Sequence, residues 1–154
     1  MVKFSRKDIE VLSGSPSQTK EIGKILAKEI LKTASKKALI LGLIGELGGG
    51  KTTFLQGFAK GLGIKEKILS PSFVILKRFK IKDLRFKNFY HIDCYRINKP
   101  KEILNLGLKE IISNPQNIVA IEWADKIKKI LPKNSIILKF EFLNKNKRRI
   151  TFTW

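Results

Sequence analysis

The residues with the clearest chemical content are Gly45-Glu46-Leu47-Gly48-Gly49-Gly50-Lys51-Thr52. A glycine, four residues and then Gly-Lys-Thr is the G-x-x-x-x-G-K-[ST] phosphate-binding pattern. Glycines let the backbone fold around a phosphate and turn successive N–H groups inward. The helix that follows presents the positive end of its dipole to the same anion. Lys51 supplies a compact cation for the β- and γ-phosphates, and the Thr52 hydroxyl is a ligand for Mg²⁺. Gly45, Gly48, Gly49, Gly50, Lys51, Thr52 and Thr53 are therefore the candidate nucleotide-binding residues, with ATP and Mg²⁺ as the implied cofactors. A Gly-rich turn with a chance Lys-Thr gives the same string. The context argues against that reading, because the apolar run "KALILGLIG" ends at Gly45 and a helix-forming stretch begins near Gly50.

Such a site needs a carboxylate at the end of a neighbouring strand to hold the metal or its water shell. Two residues fit. "NIVAIE" places Glu122 after an apolar run, and "FYHIDCYR" places Asp93 after a second β-rich run. The spacing leaves open which of them is the direct metal ligand. His91, Asp93 and Tyr95 alternate and are expected on one strand face, with Cys94 pointing away as a small buried residue. His91 is the only histidine; with no second His or Cys at ligand spacing, it reads as a hydrogen-bonded structural residue rather than a zinc ligand. Trp123 reads as packing, with a nucleotide-side role as the alternative. Arg96 fits a phosphate contact and a structural ion pair equally well.

These residues need elements to position them. "SGSPSQTKEIGKILAKEILK" opens a helix with Ser15 as N-cap, Pro16 at the first helical position and Gln18 closing a capping box. Ile22, Ile25, Leu26 and Ile30 mark its buried face. "KALILGLIG" and "NIVAIEW" are continuous apolar runs, as in strands buried on both faces of a parallel sheet. "KTTFLQGFAKGLG" is a helix ending in glycines. β-rich runs flank Lys82-Asp83 as a hairpin or meander. "KPKEILNLGLKEIIS" reads as a helix starting just after Pro100, and "ADKIKKIL" as a short helix ending before Pro132. "SIILKFEFL" and "RRITFTW", separated by "NKNK", read as a closing hairpin. Strands alternating with helices indicate a layered α/β domain with antiparallel additions.

Composition sets the outer bounds. A chain of 154 residues, 43% apolar, is expected to be one domain over 1–154. No apolar run reaches the roughly 18 residues of a membrane span, and "MVKFSRKDIE" has no secretory h-region. One cysteine, Cys94, suits a reducing cytoplasm. The net charge of +19 fits a polyanionic partner. It fits a compositional bias better, because lysine is spread along the whole chain and no basic run is interleaved with stacking aromatics. No membrane or DNA partner is expected.

Taken in order, "S…T" at Ser15 and Thr19, "GELGGGKTTF", "SPSF" from Ser70, "HIDCYRI" from His91, "KPKEILNLG" and "IEWADKI" resemble the TsaE (YjeE) family. These are small P-loop ATPases of the bacterial system that makes threonylcarbamoyladenosine (t6A) in tRNA. The matching pieces span about Ser15 to Lys128, most of the chain. The resemblance implies a P-loop NTPase-like three-layer α/β domain, mainly parallel sheet with antiparallel strands and a C-terminal hairpin. It implies that Lys51 and Thr52 bind phosphate and Mg²⁺, that Glu122 belongs to the metal site, and that Asp93 is needed for hydrolysis. It makes Ser70–Ser72 a switch-type loop near the γ-phosphate, with Ser72 catalytic, and brings Ser15 and Thr19 close to the nucleotide. The implied partner is the TsaB–TsaD heterodimer, which transfers the threonylcarbamoyl group to tRNA; tRNA is met directly or indirectly. The chain departs from the family pattern at Ser72, commonly Thr, at Asp125, commonly Glu, and at Gly49, a small residue in the loop. The last two strands match only in pattern, so a base-proximal role for Lys147 or Arg148 rests on position alone.

Three other classes compete. A small-molecule or nucleotide kinase needs an arginine-bearing lid and an acceptor pocket, and no segment reads as a lid. A GTPase needs N-K-x-D, and "NKPK" and "NKNK" both lack the Asp. A plain nucleic-acid-binding module has no use for carboxylates at two strand ends.

Overall fold

A computed structural model describes residues 7–46, 48, 50–69 and 75–154. Along the described chain the elements are β1 (Asp8–Ser13), α1 (Pro16–Leu31), β2 (Leu39–Ile44), α2 (Lys51–Gly61), β3 (Leu76–Lys80), β4 (Asn88–Asp93), α3 (Pro100–Leu104), α4 (Leu108–Ser113), β5 (Asn117–Glu122), a 3₁₀ turn (Ala124–Ile127), β6 (Ile136–Phe142) and β7 (Arg148–Thr153). The described strands form one seven-stranded sheet in the order β1-β7-β6-β2-β5-β4-β3. β6, β2, β5 and β4 run parallel. β7, β1 and β3 join antiparallel at the two sides.

The middle of the sheet explains its sequence. Every residue of β5 is buried, as are the four inner residues of β2. With both faces covered there is no solvent side to favour polar alternation, so both strands are apolar runs. On one face Phe54 and Phe58 of α2 and Ala27 and Ile30 of α1 pack against Phe89, Phe140 and Phe152. On the other, Ile40, Ile92, Val119 and Ile121 pack against Ile103 of α3, Leu108 of α4 and Ile127. The result is three layers, a mixed sheet between two helical faces.

The cap of α1 forms as its sequence dictates. Ser15 Oγ accepts from Gln18 N at 3.1 Å, while Gln18 Oε1 accepts from Gly14 N at 2.6 Å. Ile30 is buried and Ile22 and Leu26 pack half-buried against the core as expected, but the fully buried line is Thr19, Gly23, Ala27 and Ile30, and Ile25 is 54% exposed. The reason is a close seam with α2. A Cβ on Gly23 would meet Phe54 O at 2.3 Å, and one on Gly57 would meet Lys20 O at 1.9 Å. Small residues let the two backbones approach, and this rotates α1 so that Ile25 turns outward.

Three further expectations shift. The "KPKEILNLGLKEIIS" segment begins at Pro100 itself and breaks in two, because Gly107 adopts φ 88 between α3 and α4. "ADKIKKIL" is regular only over the 3₁₀ turn Ala124–Ile127. Strand β1, "DIEVLS", is an addition the sequence pattern did not announce. It is an edge strand paired only with β7, short and mostly exposed: Asp8-Ile9-Glu10-Val11 alternates, but Ile9 is 49% and Leu12 65% exposed.

The α1–α2 seam yields a test. Gly57→Ala forces two backbones apart and is expected to cost about 1–3 kcal/mol, as other overpacked positions do. Urea unfolding measures it. A midpoint unchanged from the wild type would mean the seam is loose.

Candidate functional site

The parallel register sets the site. Asp93, the last residue of β4, lies opposite Glu122, the last of β5, and Glu122 lies opposite Leu43 near the end of β2. The glycine loop starts where β2 stops, so two strand-end carboxylates flank the loop and the head of α2. Strand alternation puts His91, Asp93 and Glu122 on the face that α1 and α2 cover. Cys94 falls in the opposite core and is fully buried. Burial there pushes its thiol up to about 12, which removes it from nucleophilic chemistry. Tyr95 does not continue the strand; it lies beyond the end of β4 and is 44% exposed.

The loop is shaped by steric demand. Gly45 has φ 139, and a Cβ there would meet Phe140 O of β6 at 2.5 Å. Gly50 caps α2 at φ 99. Lys51, only 6% exposed, donates to the carbonyls of Gly45 at 2.6 Å and Glu46 at 2.9 Å. Its ammonium sits 4.3 Å from the Trp123 ring centroid. Burial lowers the Lys51 pKa, and the charges of Glu122 and Asp93 oppose that shift.

Thr52, in the first turn of α2, donates its hydroxyl to Glu122 Oε1 at 3.2 Å. Glu122 Oε2 meets His91 Nε2 at 2.6 Å. Asp93 accepts from Tyr95 N at 2.9 Å. Desolvation raises the Asp93 pKa, and the Glu122 carboxylate raises it further. The Tyr95 N–H, His91 and Lys51 pull the other way. Among the described residues no buried side-chain nitrogen or oxygen lacks a hydrogen-bond partner.

Ser15, Thr19, Gly48, Gly50, Lys51, Thr52, Thr53 and Glu122 line one groove at the head of α2. The hydroxyls of Ser15 and Thr19 serve the start of α1: Ser15 Oγ caps it, and Thr19 Oγ1 lies 2.7 Å from Ser13 Oγ. Gly49 and the Ser70–Ser72 segment lie outside the described residues, as does any role of Ser72.

The structure adds partners that sequence reasoning missed or undervalued. Trp123 is the one non-glycine residue at positive φ among those described, 58, a conformation costing about 1–2 kcal/mol. Its ring packs tilted against Tyr95, with centroids 5.0 Å apart and planes 48° apart, and faces Lys51. Lys145 and Asn146 of the β6–β7 turn and Arg148 at the start of β7 also line the groove. Arg148 Nε donates to Gly48 O at 3.2 Å, which ties this turn to the loop. A basic turn gave no local signal of this, because β6 reaches the loop only by pairing with β2.

A buried ammonium, a hydroxyl and two carboxylates at a helix N-terminus can hold an anion and a hard cation together. The electrostatics predict a cost in stability. Asp93 holds its proton more tightly folded than unfolded, so its charged form destabilises the fold once pH exceeds the folded-state value. The cost vanishes in acid, where both states are protonated. Asp93→Asn keeps an oxygen for the Tyr95 N–H. It is expected to raise the urea midpoint at pH 7, with the gain disappearing below about pH 4. Equal midpoints at pH 7 would contradict this reading.

Comparison with known proteins matches residues 13–150 to the family model "Threonylcarbamoyl adenosine biosynthesis protein TsaE". The chain is 36% identical over 147 residues to the tRNA threonylcarbamoyladenosine biosynthesis protein TsaE of Bacillus subtilis, covering 96% of this chain and 86% of that protein. It is 33% identical over 120 residues to the Haemophilus influenzae protein of the same name, covering 78% and 73%. The crystal structure of Bacillus subtilis YdiB superposes with a TM-score of 0.73 at 30% identity, over 98% of this chain and 88% of that one. With its sheet order, its strand-end carboxylates and these matches, the chain belongs to the TsaE family.

Proposed function

We propose that this protein binds ATP with Mg²⁺ in the groove at the head of α2 and hydrolyses it, as the energy-using component of the tRNA t6A modification system. The observation that carries the reading is the meeting of Lys51 and Thr52 with Glu122 and Asp93, which come from three separate elements. The fold fits a P-loop NTPase, with the phosphate loop between a central parallel strand and its following helix. The donor set fits Mg²⁺, since Thr52, Glu122 and Asp93 offer hard oxygens only.

Each residue has its task. The N–H groups of the loop and α2 bind the phosphates. Lys51 leaves the carbonyls of Gly45 and Glu46 for phosphate oxygens of higher charge. Thr52 and Glu122 hold the cation, which when bound neutralises charge developing on the phosphates. Asp93 orients the attacking water and accepts its proton, a role helped by burial that already favours its protonated form. Ser72 takes its catalytic role from the family resemblance alone, and Ser15, Thr19 and Arg148 border the rest of the nucleotide.

Family membership supports the purpose. Hydrolysis drives a conformational cycle in the TsaB–TsaD heterodimer, because a γ-phosphate can hold one loop geometry and release it afterwards. tRNA is then met beside that complex.

The first test is phosphate release without an added acceptor, which separates an ATPase from a kinase. Lys51→Ala is expected to lose about 10²–10³-fold in kcat while staying folded. Glu122→Gln, Asp93→Asn and Thr52→Val are expected to weaken Mg²⁺-dependent release more than nucleotide binding. The second test is reconstitution with tRNA, threonylcarbamoyl-adenylate and TsaB–TsaD. Multiple-turnover modification is expected for the wild type and not for Lys51→Ala. Equal turnover by both, or no association with TsaB–TsaD in any nucleotide state, removes this role.

A further inference from the structure

We propose that His91 is a positioning residue for Glu122, holding the carboxylate in the orientation that serves the cation and phosphates. The inference rests on the nucleotide reading above.

The contact is short and dry. His91 and Glu122 are each 2% exposed, and Nε2 and Oε2 are 2.6 Å apart. An ionised carboxylate only accepts, so Nε2 carries the hydrogen in this contact. The two oxygens of Glu122 are thereby divided. Oε2 is held by β4 through His91, and Oε1 faces Thr52 at the head of α2. When the Thr52 hydroxyl turns to a cation, Oε1 is released while Oε2 stays tied. The carboxylate thus presents an oxygen without losing its orientation.

The sheet makes room for this reach. His91 pairs across the ladder with Ala120, two residues before Glu122 on the same face of β5. A methyl group directly opposite leaves the imidazole free to extend along β5 to the carboxylate. Asp93 stands beside Glu122 in register, so two carboxylates share one buried corner and repel each other. A Glu122 without its imidazole partner turns away from Asp93, and the oxygen aimed at the groove is lost. Groups that orient a metal-site carboxylate act in this way, and their loss costs about 10–100-fold in metal affinity or activity.

The experiment compares His91→Leu, His91→Gln, Glu122→Gln and the double variant His91→Leu/Glu122→Gln. It reads kcat and KM for ATP hydrolysis, and the Mg²⁺ dependence of ADP binding by calorimetry. His91→Leu is expected to lower kcat about 10–100-fold with KM little changed, and to raise the Mg²⁺ concentration needed for ADP binding. His91→Gln, whose amide nitrogen takes the place of Nε2, is expected to recover most of both. In the Glu122→Gln background His91→Leu is expected to add nothing, because it acts through the missing carboxylate. Where His91→Leu does not fold, His91→Gln and His91→Asn decide: the shorter amide does not reach Oε2, so Asn is expected to show the loss of kcat and the raised Mg²⁺ requirement that Gln avoids. Losses that multiply in the double variant, a Gln variant no better than Leu or Asn, or a wild-type His91→Leu beside an impaired Glu122→Gln would each overturn the proposal alone. A wild-type protein that releases no phosphate and binds ADP independently of Mg²⁺ overturns the nucleotide reading and this proposal together.

Discussion

The parallel pairing of β2, β5 and β4 is the constraint on which the polar end of this molecule depends. Parallel strands end on the same side, so the register Asp93↔Glu122 and Glu122↔Leu43 brings two carboxylates and the glycine loop to one level. That geometry is enforced from beneath. The strands are buried on both faces, and a one-residue slip would turn Glu122 into the opposite core. The apolar layers thus aim the charged ones.

Placing charge at the end of a dry sheet has an energetic consequence. Lys51, His91, Asp93 and Glu122 are all buried, and desolvation disfavours the charged forms of Lys51 and Asp93. The cluster offsets this internally. Glu122 is bonded from two sides, Asp93 by a backbone N–H, and Lys51 by two carbonyls and an aromatic face. In the proposed reading these groups await a partner of greater charge than the protein supplies, and stability is given up to keep them so.

The remaining architecture anchors the loop from several directions. The seam at Gly23 and Gly57 locks α2 against α1, so the helix head cannot drift from Glu122. Phe140 of β6 blocks any side chain at position 45, and Arg148 of β7 holds the carbonyl of Gly48. Trp123 accepts an unfavourable backbone conformation immediately after Glu122 and stands beside Lys51. Strain of this kind persists only where surrounding contacts over-determine it.

The sequence by itself determined the glycine loop with its Lys-Thr, the two candidate carboxylates and the buried strands that carry them. In each case the signal is local: a fixed spacing, a turn chemistry, or an apolar run closed by an acid. It also determined the Ser15 cap, which depends on residues within one helical turn. What only the tertiary structure decided is non-local. Strand β1 forms on the edge that β7 offers; the short Asp8–Val11 alternation gains a partner only there. Ile25 turns outward because the glycine seam sets the rotation of α1. The β6–β7 turn reaches the glycine loop because β6 pairs with β2. The sequence showed His91 as a lone histidine; strand register, with Ala120 leaving space, delivered it to Glu122. Local chemistry is written in neighbouring residues, whereas the meeting of distant ones follows from which surfaces must be buried together.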